Sequence, residues 1–374
     1  MNNNKTPKRF QVLSLSGGGY RGLHVAHALE LIESQTKTPI VQHFDLIAGT
    51  SIGGIIGLAL ALGISAKKIR EALQSLGPQL FDKPVPDFAH IRELASRGDL
   101  AKAAYYCQNK SAIKAEAKQI ETAWYKPDSL KNLLSSQEFF GTKLLKDVSH
   151  PIIVPAIDYG AGRPKFFKTD HHSTFVFDKE LPIVDIALGT SAAPVYFPAH
   201  KVNDFRIVDG GLIANDPTQV AVHEAMMFFG IRPPLFGDES TGRDDLRVLS
   251  IGTLSPKRIG DLSKPLDQGL LHWGSGVFDL ASSAQEAMSA YMIDIHMLPG
   301  KVYRLPTMDA RPESAPSLAD VSDEATEKLK SSAATLVQIA CGNSEFMDLF
   351  SHEARSLQEV RDEIQREKED AQCK

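Results

Sequence analysis

Ser51 and Asp209 are the residues of this 374-residue chain best placed by their surroundings for nucleophilic chemistry. Ser51 sits in Gly49-Thr50-Ser51-Ile52-Gly53, a G-x-S-x-G turn between a short apolar run and a longer one. A serine on such a strand-to-helix turn is held with its hydroxyl exposed above a sheet. Glycines flank it because neighbouring side chains would clash, and the helix beginning at Ile52 directs its N-terminal dipole at the serine. Taken alone, the pattern also describes a tight turn around a buried small residue. Two other glycine-rich islands add the missing parts. Gly17-Gly18-Gly19-Tyr20-Arg21-Gly22 can present consecutive backbone N–H groups to an anion, as acyl transfer requires where a carbonyl oxygen becomes an oxyanion. Arg21 either adds charge there or anchors the loop in an ion pair. Asp209-Gly210-Gly211 supplies a carboxylate after another apolar run. An oxyanion site, a nucleophile and a proton acceptor make a nearly complete apparatus for acyl transfer.

Competing chemistries fit less well. The phosphate-loop pattern fails because Leu23, not lysine, follows Gly22. A G-x-G-x-x-G string is formally present over 17–22, but a serine elbow so soon afterwards suits a dinucleotide site poorly. None of the twelve histidines sits in a strong local motif. His200 reads as part of the loop before Asp209, and His171 and His172 as an exposed turn, so none is expected to be the base of a Ser-His-Asp triad. No cluster has metal-ligand spacing, so neither a metal nor a cofactor is expected.

The elements that must position these residues are legible as short runs. Residues 10–15, 44–48, 151–157, 205–208 and 247–251 read as strands; 23–33 carries helical periodicity, and 52–62 is apolar almost all round, as for a buried central helix. Strands alternating with helices predict an α/β fold in three layers with a mainly parallel central sheet, whose site lies beyond the carboxyl ends of the strands. The uncharged run 46–64 is long enough to test as a membrane span, but its glycine-rich turn makes it a strand, turn and buried helix. Residues 77–146, polar and interrupted by Pro78, Pro84, Pro86 and Pro127, read as a helical cap or insertion. Residues 306–323 read as a linker or surface loop, and 351–374 as a charged helix fraying at its end. The expected organisation is a catalytic domain over 9–255 and a helical extension over 256–374 packing on the same domain. A net charge of −5 argues against a nucleic-acid polymer as partner. Cys107, Cys341 and Cys373 lie far apart, which argues against a disulfide framework and fits a reducing cytoplasm. The polar start, 1–9, has no apolar stretch after it of the kind a signal peptide needs.

The three islands together resemble the patatin-like phospholipase family. The resemblance extends to 190–198, to Asn215-Asp216-Pro217 and to 249–253, covering roughly residues 9–255. It implies a Ser–Asp dyad without histidine: Ser51 as nucleophile, Asp209 as acceptor of its proton, and the N–H groups of Gly17, Gly18 and Gly19 as the oxyanion hole. Arg21, Gly22, Gly49, Gly53, Gly210 and Gly211 would support them. A narrower resemblance, carried by 9–23, 42–54 and 167–172, is to the bacterial cyclic-dinucleotide-activated phospholipases of anti-phage CBASS defence. It implies activation by cyclic GMP–AMP, membrane phospholipid as substrate, and peripheral contact with the inner membrane. A switchable enzyme needs a bistable element; the cap and the C-terminal region are the natural places, with homo-oligomer formation as one route. Phe81, Phe88, Tyr105, Tyr106, Trp124 and Tyr125 form either an interfacial surface or the cap's own core. Two other readings stay open: an esterase or thioesterase acting on soluble esters, and a low-turnover binding or storage protein on the same scaffold.

Overall fold

The computed structural model describes residues 8–83, 88–256, 276–306, 312 and 314–372. Part of what the sequence suggested lies outside them: most of the N-terminal arm, Pro84 and Pro86 of the cap, part of the loop 306–323, and Cys373. The strands are β1 (Arg9–Leu15), β2 (Leu46–Gly49), β3 (Ile152–Asp158), β4 (Arg163–Lys168), β5 (His200–Val202), β6 (Phe205–Asp209), β7 (Asp245–Ile251) and β8 (Val302–Leu305). They form one sheet in the order β5-β6-β3-β2-β1-β7-β8, with β4 on β3. The pairs from β3 through β2, β1 and β7 to β8 are parallel. Those among β3, β4, β5 and β6 are antiparallel.

The helices follow as α1 (Gly22–Thr36), α2 (Ile52–Ala61), α3 (Ala66–Leu80), α4 (Ala89–Ser96), α5 (Asp99–Glu121), α6 (Asp128–Leu134) and α7 (Ile183–Thr190). After these come α8 (Gly211–Ala214), α9 (Thr218–Phe228), α10 (Gly276–Ala290), α11 (Asp323–Cys341), α12 (Ser344–Asp348) and α13 (Leu357–Gln372). Strand alternation divides the interior. Phe10 and Val12 of β1 face a core closed by α9, while Leu13 and Leu15 face a larger core built on α1, α2, α3 and α11. Two cores on two faces of one sheet make three layers. The helix α2 is buried almost throughout, which is why it carries apolar residues on every side.

Two features depart from the sequence reading. Asp209 ends a strand that runs against its neighbour rather than with it. Residues 156–158 of β3 pair both β4 and β6, and Ile153 pairs both β2 and β4, so β2 and β6 share one edge of β3. There β2 occupies the first half and β6, running the other way, the second. Their carboxyl ends therefore point at each other. The chain after 255 is also not solely helical: Val302–Leu305 adds β8 beside β7 and covers that edge of the sheet. A four-residue strand containing Arg304 carries too little alternation to be recognised in advance. Phe81, Phe88, Trp124 and Tyr125 are buried and in ring contact with one another; they pack the cap rather than face outward.

Candidate active site

Ser51 follows β2 with φ 55° and ψ −124°, a backbone conformation strained for a residue with a side chain. Its N–H donates to Thr190 Oγ1 at 3.0 Å, and the Thr190 hydroxyl donates to the Pro155 carbonyl at 2.6 Å. The end of α7 and the middle of β3 thereby hold the elbow in place. Gly53 lets α2 cross close to β1, since a Cβ there would strike the Leu15 carbonyl. The Ser51 Oγ–H donates to Asp209 Oδ2 at 2.7 Å, and Asp209 Oδ1 accepts the Gly211 N–H at 2.7 Å. Asp209 is 1 % exposed. Burial pushes its carboxyl up to about 7, against the opposing pull of the Ser51 and Gly211 hydrogen bonds. A carboxylate is ordinarily too weak a base for a serine; this one is matched to neutral pH.

The glycine loop lies over Ser51, but not with all three donors available. The Gly17 N–H donates to the Asn215 carbonyl at 2.9 Å, so it is removed from the expected set: the close approach of the Asn215 segment gives it an acceptor inside the protein. The next two peptides are held by their carbonyls. Gly17 O accepts Thr253 Oγ1–H at 2.7 Å, and Gly18 O accepts the Arg21 N–H at 3.2 Å and Arg21 Nε–H at 3.4 Å. A trans peptide points its N–H opposite to its C=O. Thr253 therefore aims the Gly18 N–H, and Arg21 aims the Gly19 N–H. Among the described residues neither N–H has an acceptor within the protein, and both glycines line the same cavity as Ser51 and Asp209. Arg21 is buried and lies near Asp279; its hold on Gly18 makes it an anchor of the loop. Gly22, beneath it, has no room for a side chain against Ile52. At the other end of the site, Gly49 packs on the Gly53 carbonyl, Gly210 on Pro155, and Gly211 between Asn215 and Phe278.

Ser51 and Asp209 open onto a cavity beneath the glycine loop. Its walls are apolar: Leu73, Leu76 and Leu80 of α3, Leu130 of α6, and Tyr196 and Phe197. Among the described residues no histidine lines it. His200 pairs with Asp185, and His171 is buried against Glu224; His172 packs on Phe175 and Phe228. The described residues contain no cluster able to hold a metal ion. Thr190, Asn215, Thr253 and Phe278 were not singled out as site residues. Lone threonines and a lone phenylalanine carry no local signature, although the first three fall inside stretches that carried the resemblance.

A serine bonded to a buried carboxylate, under a glycine loop and beside an apolar cavity, is accompanied by a match over 13–222 to the profile of the patatin-like phospholipases. The chain belongs to the patatin-like phospholipase family. It is an ester hydrolase of that family. Three bacterial relatives bear the name cGAMP-activated phospholipase. One from Pseudomonas aeruginosa is 34% identical over 348 residues, covering 92% of this chain and 93% of the relative. One from Escherichia coli is 33% identical, covering 72% and 70%. One from Vibrio cholerae is 30% identical, covering 76% of each. Among the described residues no helix is long and apolar enough to cross a membrane.

Proposed function

We propose that this protein releases fatty acids from membrane phospholipid by a Ser51–Asp209 dyad, and that cyclic GMP–AMP switches it on as part of an anti-phage response. The observation that carries the chemistry is the 2.7 Å Ser51–Asp209 hydrogen bond at the edge of an apolar cavity. Asp209 takes the Ser51 proton as Oγ attacks the ester carbonyl. The negative charge formed on the carbonyl oxygen is met by the Gly18 and Gly19 N–H groups and the N-terminus of α2. As the intermediate collapses, Asp209 returns the proton to the departing lysophospholipid oxygen, leaving an acyl-serine. Water then loses a proton to Asp209 and attacks the acyl carbon, and the proton returns to Ser51 as the fatty acid leaves. The apolar walls suit a fatty acyl chain better than a short soluble ester. Contact with the inner membrane would be peripheral. Activation is supported by the names of the bacterial relatives.

The test is fatty-acid release from phospholipid vesicles with a panel of cyclic dinucleotides, for wild type and Ser51→Ala. Release that requires cyclic GMP–AMP and disappears in Ser51→Ala is the expected result. Release independent of any nucleotide removes the gate and keeps the lipase. No release from vesicles together with turnover of a water-soluble ester replaces the substrate class.

A further inference from the structure

The helix α10 and the π-helical turn that continues it, Tyr291–Met297, are amphipathic in the wrong sense. Their polar side chains point into the protein. Ser282 donates to the Gly211 carbonyl, Gln285 brackets the Asp216 backbone, and Glu286 accepts from Asn215 and Ser255. Asp294 pairs with Arg304, which also pairs with the buried Asp216. The outward face is apolar instead. Val277, Leu280, Met288, Tyr291, Met292 and Ile295 are between 37 and 63 % exposed, and Ala284 and Ala287 lie open between them. No lysine or arginine occurs over 276–297.

We propose that this face docks a second copy of the chain. The spacing is that of a helix–helix seam: 277, 280, 284, 288, 291 and 295 advance by threes and fours. The two alanines leave room for a close crossing, with larger side chains on either side to interdigitate. The same face on both copies makes a closed two-fold contact. With about 150–200 Å² for each large apolar side chain when fully open, the exposed fractions leave roughly 450–600 Å² per copy. That reaches the small end of specific protein interfaces and lies at the top of the range a monomer ordinarily leaves bare. Charge disfavours a bilayer as the occupant. A helix lying in a lipid interface carries lysine and arginine on its polar face; here that face is acidic and is used up inside the protein, on a chain of net charge −5. Because the buried face grips Gly211, Asn215 and Asp216, docking on the outer face bears directly on the loops around Ser51. This consequence, unlike the docking itself, rests on the Ser51–Asp209 reading.

Sedimentation velocity of the full chain over a wide range of concentration, with and without cyclic GMP–AMP, tests the proposal. The expected result is a concentration-dependent dimer whose dissociation constant rises roughly tenfold or more in Met288→Glu and in Ile295→Glu, with thermal melting of the monomers unchanged. Hydrogen exchange on the wild type asks the same without substitution: amides over 277–295 should slow as the dimer forms. A wild type that stays monomeric in both conditions overturns the proposal, as does a dimer without protection at this face. A monomer that binds phosphatidylethanolamine–phosphatidylglycerol vesicles through Met288 and Ile295 also overturns it, in favour of a membrane surface. Fluorophosphonate labelling of Ser51 is read in parallel. A dimer that fails to label sinks the dyad and leaves the docking face standing.

Discussion

At the scale of single residues, the proposed chemistry depends on what burial does to Asp209. In water its carboxyl would be ionised far below neutrality and would be a poor acceptor for a serine proton. Enclosed, it titrates at about 7, and only its ionised form can take the Ser51 proton. Activity should therefore fall as pH drops through about 7, along a limb of one proton in kcat/KM. Asp209→Asn preserves the shape but cannot accept a proton, so kcat should fall by roughly 10²–10⁴-fold while acyl-chain binding persists. A pH profile flat between 5 and 8 would remove Asp209 from the role. Its proposed place as base could be read from the sequence only in company: Asp-Gly-Gly alone is a common turn, and the carboxylate gains meaning from the strand end and from the two islands before it.

At the scale of elements, the proposed oxyanion site is a loop whose peptides are aimed from behind. Thr253, just after β7, grips the Gly17 carbonyl, and Arg21, at the start of α1, grips the Gly18 carbonyl. Both lie outside the expected donors, because a donor's direction is decided by whatever holds the other side of its peptide. Thr253→Val removes the hydroxyl at nearly constant shape. It should lower kcat roughly tenfold, a part of the 10²–10³-fold loss seen when an oxyanion donor is deleted outright, and leave KM nearly unchanged. Thr253→Ser should restore the rate. Equal losses in kcat for the valine and serine variants would argue for packing instead of aim. Gly17, counted among the donors from its position in the triple glycine, faces Asn215 for the same reason: an approaching segment from elsewhere in the chain decided where its N–H points.

At the scale of the whole molecule, the site has a stability cost that depends on pH. Asp209 ionises near 3.8 when unfolded and near 7 when folded, so the folded state is penalised as pH rises through this interval. At pH 8 the penalty is on the order of 4 kcal/mol. Asp209→Asn should accordingly melt at a higher temperature than wild type at pH 8, and the gap should close toward pH 4. His24 works in the opposite direction. Its ring is fully buried on α1 against the Gly252 carbonyl, and burial lowers its pKa to about 4. Below its ordinary value near 6.5 the unfolded chain binds the proton more readily, so stability is lost as pH falls from about 6.5 to about 4. Over this shared interval the two groups oppose each other, so wild-type melting should vary less with pH between about 4 and 6.5 than that of Asp209→Asn, which keeps only the His24 dependence. A melting temperature for Asp209→Asn equal to or below that of wild type at pH 8 would mean that the carboxylate is not strained by its burial.

The sequence by itself determined the pieces whose causes are local. A tight turn needs glycines, a nucleophile elbow needs a strand before it and a helix after it, and a buried helix is apolar all round; each is readable within a dozen residues, and α2 and β1 stand close to where the sequence placed them. What only the tertiary structure decided are the relations between distant segments. Ser51 and Asp209 are 158 residues apart and meet because β6 runs against β3 and ends head-on to β2, a direction that no short apolar run encodes. The loss of Gly17 as a donor, the threonine that aims Gly18 and the outward apolar face of α10 follow from contacts across 69 to 236 residues of chain. Sequence patterns record which side of an element is apolar; which side is turned toward the protein is decided by what else must be buried against it. For α10 the polar side was needed by the catalytic loops, so the apolar side was left facing out.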